Sequence, residues 1–458
     1  MSESVKPSSD AAKILSSAKS IYFIGVGGVS MSSLARVALS DGLSVGGSDR
    51  TPSQITDELR AAGVRLNIGH SAENVEGWDA VVYNAAIHED NPERMRAAEL
   101  NIPQFRRAEY LGYVMLRYQN RIGIAGMHGK STTTSMAAHL LCGAGIDASV
   151  ECGAVMPEFG GAMRDGSSDT FVFEACEYTD SFLSFYPTVA VVLNIAPEHL
   201  DYFSGMDHIR KSFRKYIDIA GKAVVNFDCA DVRAVCDGYA GTLITYALGR
   251  EADYTAKNIR YEGGFAHFDI AERGMPLCSA SLAVPGEHNI SNALAACACA
   301  RLCGVSGGDI SRLLATFTGC HRRFEKVGQT QNGVPVYDDY AHHPDEIRAT
   351  LAGVRRLGYK RILTIFQPHT YSRTATLYDD FKKAFGDTDL LYICDIFAAR
   401  EVNSYGVSSQ RLAADTGAVY CDSFADAARR TAKEAKPGDI ILTMGAGDVY
   451  KAGLLLVK

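Results

Sequence analysis

The 458-residue sequence contains no run of about 18 apolar residues, the length a membrane-spanning helix needs, so no segment is expected to cross a membrane. It also lacks an excess of basic charge. The formal net charge is −7, which removes the electrostatic footprint of a nucleic-acid binder. The opening stretch MSESVKPSSDAAKILSSAKS has no apolar core of the secretory type, and its first ten or so residues read as a frayed tail. None of the twelve cysteines sits in a CxxC pair. The densest group, Cys297, Cys299 and Cys303 in NALAACACARLCG, has no partner set of Cys or His spaced for a metal and reads as a buried helix. Scattered cysteines suit a reducing compartment, so a cytoplasmic location is expected. Fixed-period repeats and low-complexity segments are absent too.

What remains is an ordinary globular composition, 47% hydrophobic and 22% charged, with the length of about three domains. Over the first 110 residues, apolar runs alternate with helical stretches: SIYFIGVGG, LSVGGSD, VRLNIG, AVVYNAA and IPQFRR. That alternation predicts a parallel sheet. The pattern restarts at NRIGIAGMHGKS and continues through TFVFEACE, TVAVVLNIAPEHL, AVVNFD and GTLITYA. Residues 250–285 alternate with turn signals and predict a small antiparallel patch, followed by a helix at HNISNALAACACARLCG. A third block carries VPVYDDYAHHPDEI, RILTIFQPH, LLYICDIF, AVYCD and DIILTMGAGDVY. The expected fold is therefore α/β in three domains, 1–118, 119–320 and 321–458. The outer two are Rossmann-like, and the central one is P-loop ATPase-like with the antiparallel patch.

Two glycine-rich loops stand at strand-to-helix turns. In the first, Gly25, Gly27 and Gly28 let backbone N–H groups approach a pyrophosphate at a helix N-terminus. Asp49 follows at the end of the next strand, where an acid would meet a ribose or base. Ser30 occupies the third glycine position of the dinucleotide fingerprint, leaving three readings: a bare tight turn, an NAD site, or a site for another nucleotide diphosphate. The second loop, GMHGKS, is a shortened Walker A in which Ile124 replaces the first glycine. Gly126, Gly129 and Lys130 remain to hold β- and γ-phosphates, with Ser131 or Thr132 toward Mg²⁺. Glu174 and His199 follow later strands and project to the same sheet edge, the carboxylate being the better partner for a hard cation.

Taken together, GVGGVSMSSLA, GMHGKSTTT, EACEYTDSFL, NIAPEHLDYF, PGEHNISNALAA, RRFEKVG, DDYAHHPDE and FQPHTYSRT run in the order of the Mur ligases, and the chain resembles this family of ATP-dependent amino-acid ligases over essentially its whole length. The resemblance implies that the first loop holds a UDP-sugar and the second holds ATP. It implies UDP-N-acetylmuramate and L-alanine as partners, with the alanine-adding branch favoured over sister ligases, and a monomer or homodimer. It places Asp49 and His70 around the uridine, and Gly126, Met127, His128, Gly129, Lys130, Ser131 and Thr132 on ATP. Ser131, Glu174 and His199 fall on Mg²⁺. His288, Asn289 and Asn292 fall near the adenine, Arg323 near the phosphates with Arg322 as its competitor, and Asp339 on the ribose. His343 falls near the reacting groups and Arg373 on the amino acid. Read without the family, HHP before DEIRATLAGVRR is a capped turn.

Several positions depart from the family pattern. Met127 and Ser131 stand where threonines are usual, Asn84 and Ala85 where serines are, and Thr370 where some members have arginine. Phe213 and Arg214 occupy the place of the carbamoylated lysine of sister ligases, so no such modification is expected. Two other classes stay open: an NAD-dependent dehydrogenase built on the first loop, and a nucleotide-binding regulator without turnover.

Overall fold

The computed structural model describes residues 9–199, 202–399 and 401–457. A helix starts at Ser9, so the last two of the ten or so residues expected to fray are helical, and the others lie outside those described. The chain resolves into two compact units, Met1–Lys130 with Gly145–Ile244, and Ser131–Ala144 with Thr245–Lys458.

The first unit opens with a five-stranded sheet: β1 (Ser20–Ile24), β2 (Ser44–Asp49), β3 (Arg65–Ile68), β4 (Ala80–Tyr83) and β5 (Gln104–Arg106). All pairings are parallel and the order is β3-β2-β1-β4-β5. Four of the five residues of β1 are buried, as a run covered by helices on both faces requires. The following helix, Val29–Ser40, buries Met31, Leu34, Ala35 and Ala38, one stripe at helical spacing. The strand order reverses beside β1, which opens a crevice beyond its carboxyl end where Gly25–Gly28 lie.

The same unit holds β6 (Asn120–Ala125), β7 (Ser149–Met156), β8 (Gly161–Arg164), β9 (Thr170–Glu174), β10 (Val189–Val192) and β11 (Lys222–Asn226) in the order β11-β10-β6-β9-β7-β8. Only β8 runs antiparallel to its neighbour. Because β6 lies between β9 and β10, the loops after these three strands emerge side by side. Behind them Phe182 stacks on Tyr216 at 4.6 Å and meets Phe213 edge-on. Phe213, at the place of the sister ligases' lysine, is thus fully buried in an aromatic core. A Cβ on Gly123 of β6 would stand 2.3 Å from the Tyr216 hydroxyl, so this core needs a glycine there.

In the second unit β13 (Tyr254–Glu262), β14 (Phe265–Glu272) and β15 (Met275–Ser281) form the expected antiparallel patch, reached through β12 (Thr242–Ala247). Cys297 and Cys299 are fully buried in the helix His288–Leu302, as expected, whereas Cys303 caps its end and is only half-buried. The last sheet comprises β16 (Glu325–Gln329), β17 (Pro335–Asp339), β18 (Ile362–Phe366), β19 (Leu390–Ile393), β20 (Val419–Tyr420) and β21 (Ile440–Met444), ordered β16-β17-β21-β18-β19-β20. It is parallel except for the edge strand β16. Among the described residues no helix is long and apolar enough to cross a membrane.

Candidate active site

At the first loop Gly25 adopts φ +79° and the N–H of Gly27 donates to Asp49 Oδ2 at 2.9 Å. A Cβ on Gly27 would stand 2.7 Å from that oxygen. Asp49 therefore reaches the cradle itself, with its other oxygen accepting from the Thr51 N–H at 3.3 Å. The Asn84 amide borders Gly25, 3.1 Å from where a Cβ would sit, so this departure from serine keeps a polar group beside the loop. Ser30, in the third glycine position, is engaged: Arg107 donates to its hydroxyl at 2.7 Å, and that hydroxyl lies 3.1 Å from Glu151 of β7. His70 lies just beyond β3 with Nδ1 2.7 Å from Glu93 Oε2.

The second loop turns on Gly126 (φ +144°) and Gly129 (φ +85°). Asn194, beyond β10, clamps it. The His128 N–H donates to Asn194 Oδ1 and Asn194 Nδ2 donates to the His128 carbonyl, both at 2.9 Å. Met127 is buried, its N–H donating to the Asn194 carbonyl at 3.3 Å. Ser131 and Thr132 follow in the first turn of the helix Lys130–Gly143.

Lys130 Nζ lies 2.5 Å from the Gly126 carbonyl, 3.2 Å from that of Met127 and 2.9 Å from Glu177 Oε2. Burial opposes its charge, but the Glu177 carboxylate prevails and holds the ammonium above the ordinary lysine range. The converse holds for Glu177: burial raises its carboxyl, and Lys130 and His199 pull it below the usual range. Glu177 stands beyond the end of β9 with its side chain 1% exposed, and His199 Nε2 lies 3.4 Å from its other oxygen. The loop that delivers it is tightly wound. Thr179 and Asp180 both adopt left-handed backbone (φ +54° and +56°), and Asp180 accepts from Tyr202 at 2.9 Å and from Ser212. His199 is left-handed as well, with its ring 4.6 Å from that of Tyr178. Glu174 accepts from the Gly153 N–H at 2.8 Å, and a Cβ on Gly153 would stand 2.7 Å from its carboxylate. The backbone thus approaches this acid as closely as only glycine allows.

In the second unit the structure separates the two arginines of RRF. Arg322 is spent on the framework: it donates to Asp338 at 2.7 Å and to the carbonyls of Gly445 and Gly447 at 2.7 and 2.9 Å. Arg323 lies over the Tyr340 ring at 5.0 Å, its charge facing Asp339. Asp339 ends β17 and accepts from the N–H groups of Phe324 and Ala341, each at 2.8 Å. Burial nevertheless pushes its carboxyl up to about 6, against the pull of Arg323 and the Ala341 N–H. His343 caps the helix Pro344–Arg355, its Nδ1 accepting from the Asp345 N–H at 3.2 Å. Arg373 pairs with His369 Nδ1 at 3.0 Å. Asn292 donates to Asn289 at 3.1 Å and Asn289 to the Pro285 carbonyl at 2.7 Å, so these two amides pin the start of their helix, where His288 is exposed.

Three α/β sheets with glycine-rich loops at their carboxyl edges define a three-domain mixed α/β enzyme. Residues 20–119 match the Mur ligase family catalytic domain, 124–300 the Mur ligase middle domain, and 322–447 the Mur ligase glutamate ligase domain. The chain belongs to the Mur ligase family. It is 44% identical over 450 residues to a UDP-N-acetylmuramate–L-alanine ligase of Acetivibrio thermocellus, covering 96% of each chain. A relative of the same name from Caldanaerobacter subterraneus is also 44% identical, covering 95% of this chain and 96% of its own. Among solved structures, the UDP-N-acetylmuramate–alanine ligase of Thermotoga maritima superimposes with a TM-score of 0.80 at 26% identity, covering 96% of this chain and 98% of that one.

Proposed function

We propose that this protein is an ATP-dependent ligase that joins L-alanine to the lactyl carboxylate of UDP-N-acetylmuramate, a step of peptidoglycan precursor synthesis in the cytoplasm. The observation that carries the reading is the largely buried Lys130 ammonium, set on its loop among the carboxyl ends of β6, β9 and β10. Relatives of that name over nearly the full length support it. A carboxylate is a poor electrophile. On this reading its oxygen attacks the γ-phosphorus of ATP, ADP leaves, and an acyl phosphate forms. The amine of alanine then attacks the acyl carbon, phosphate leaves, and the amine loses a proton.

Two anions must meet in the first step, so catalysis rests on alignment and charge neutralisation. Gly25, Gly27 and Gly28 hold the pyrophosphate, with Asp49 and His70 toward the uridine. The loop from Gly126 to Gly129 and Lys130 hold the ATP phosphates. Mg²⁺ would be held by Ser131, Glu174 and His199, with the Glu174 carboxylate, which accepts from the Gly153 N–H, as the hard oxygen donor, and when bound it would neutralise phosphate charge. Arg323 adds positive charge, Asp339 takes the ribose, and the Asn289–Asn292 pair with His288 shapes the adenine end. His343 stands by the reacting groups, and Arg373 takes the carboxylate of alanine. The domains are 1–118, 119–320 and 321–458, and the protein acts as a monomer or homodimer. The test is phosphate release with ATP, Mg²⁺, UDP-N-acetylmuramate and alanine, omitting each in turn. Release that persists without alanine or without the sugar nucleotide would refute the reading.

A further inference from the structure

Glu93 is an acid with no exposure at all, buried in the first domain and taking no part in the chemistry above. It sits in the first turn of the helix Pro92–Glu99, where Asn91 accepts from its N–H at 3.0 Å. Four donors converge on its two oxygens. Tyr22 and Asn74 donate to Oε1 at 3.1 and 2.8 Å. Ser48 donates to Oε2 at 2.7 Å, and His70 Nδ1 lies at 2.7 Å from the same oxygen. Asn67 in turn donates to the Tyr22 hydroxyl at 3.2 Å, which orients that hydroxyl toward Glu93. A carboxylate only accepts, so the proton of the His70 contact belongs to Nδ1. In the neutral ring that leaves Nε2 as an acceptor, and among the described residues Nε2 has no hydrogen-bond partner.

We infer that Glu93 is a positioning residue that fixes the tautomer of His70 so that Nε2 accepts the N3–H of uracil, selecting a uridine over a cytidine nucleotide. The inference rests on the proposed UDP-sugar reading of the first loop, which places His70 at the base. Uracil carries a donor at N3, whereas cytosine carries a lone pair there. Against a fixed acceptor the cytosine edge meets lone pair with lone pair and leaves a polar group unpaired, which discriminates more strongly than a lost contact. Ser48, near the end of β2, lies 3.2 Å from Nδ1 and also donates to Glu93, so the ring is held by two neighbours.

The probes are UDP and CDP, titrated calorimetrically into the full-length protein. Wild type is expected to bind UDP at least about tenfold tighter than CDP, in line with hydrogen-bond discrimination of this kind. In Glu93→Gln one amide oxygen must serve donors that had two carboxylate oxygens, and the preference should fall to about threefold or less, through weaker UDP binding. An independent reading needs no variant: ¹⁵N spectra of histidine-labelled wild type with UDP, assigned by the loss of signals in His70→Asn, should show Nδ1 protonated and Nε2 not. An Nε2–H tautomer, an absent UDP preference in wild type, or an unchanged preference in folded Glu93→Gln would overturn this inference alone. Failure of wild type to bind UDP would overturn the UDP-sugar reading with it.

Discussion

A lysine removed from water keeps its charge only beside an anion, and Lys130 has Glu177. On the proposed reading Lys130 meets charge that builds on the transferring phosphoryl group. Lys130→Ala should cut turnover by roughly 10³-fold or more in a folded protein, measured as phosphate release. Glu177→Gln strands the ammonium among the carbonyls of Gly126 and Met127. Breaking a buried pair in this way costs about 3–5 kcal/mol, and urea denaturation of the unliganded protein should show a loss of that order. Asp339 gives a pH signature. Its native carboxyl holds a proton up to about 6, while the unfolded chain releases one near ~4. Between those values the native state binds the extra proton, so this residue's stabilisation is complete at the acid end and is lost as pH rises through 6. With Asp339 on the ribose as proposed, ATP affinity should run the other way, weakening as pH falls below about 6 and the carboxylate is lost. Calorimetric titrations between pH 5 and 7 should show that slope in wild type and not in Asp339→Asn. With Arg373 on the alanine carboxylate as proposed, Arg373→Ala should weaken alanine use by roughly 10- to 100-fold, the loss of one charge-assisted bond, with ATP and sugar-nucleotide binding little changed.

At the level of elements, both cradles are backbone devices, so glycine substitutions test them separately. Gly27→Val drives a side chain into the Asp49 carboxylate and should abolish UDP-sugar binding while ATP still binds. Gly126→Ala forces an L side chain into φ +144° and against the Asn194 backbone 3.1 Å away, and it should do the converse. These loops were legible because glycine spacing, a preceding apolar run and a following helix are all local signals. Most of the parallel strands were legible for the same reason. β7, β8 and β16 went unread: SVECGAVM and GAMR are cut by glycines and by a register shift, and EKVGQ is a polar edge strand without alternation. The arginine pair of RRF needed coordinates, since only the carbonyls of Gly445 and Gly447, far along the chain, mark Arg322 as framework. Glu93 was invisible within the charged helix PERMRAAE, and Glu177 lay inside a recognised motif without a role, because an acid's partners are set by tertiary packing.

For the whole molecule, both glycine-rich loops lie in the first compact unit, so on the proposed reading either ligand alone should stabilise that unit. UDP-N-acetylmuramate alone, at about 100 times its dissociation constant, should stabilise the part it binds by about 2.7 kcal/mol. Differential scanning calorimetry should show this without ATP, as a shift in one transition of a protein too large for simple two-state melting. The Lys130–Glu177 pair has a further bearing on the working cycle. If Lys130 meets the nucleotide phosphates as proposed, they compete with Glu177 for its ammonium, and each turnover would begin and end as an exchange of partners. On that reading measured nucleotide affinity would be a difference between two ion pairs, with the Glu177 carboxylate competing for the lysine when ADP departs. In Glu177→Gln the competitor is gone: ADP should bind more tightly and leave more slowly in stopped-flow displacement, even though the empty protein is less stable.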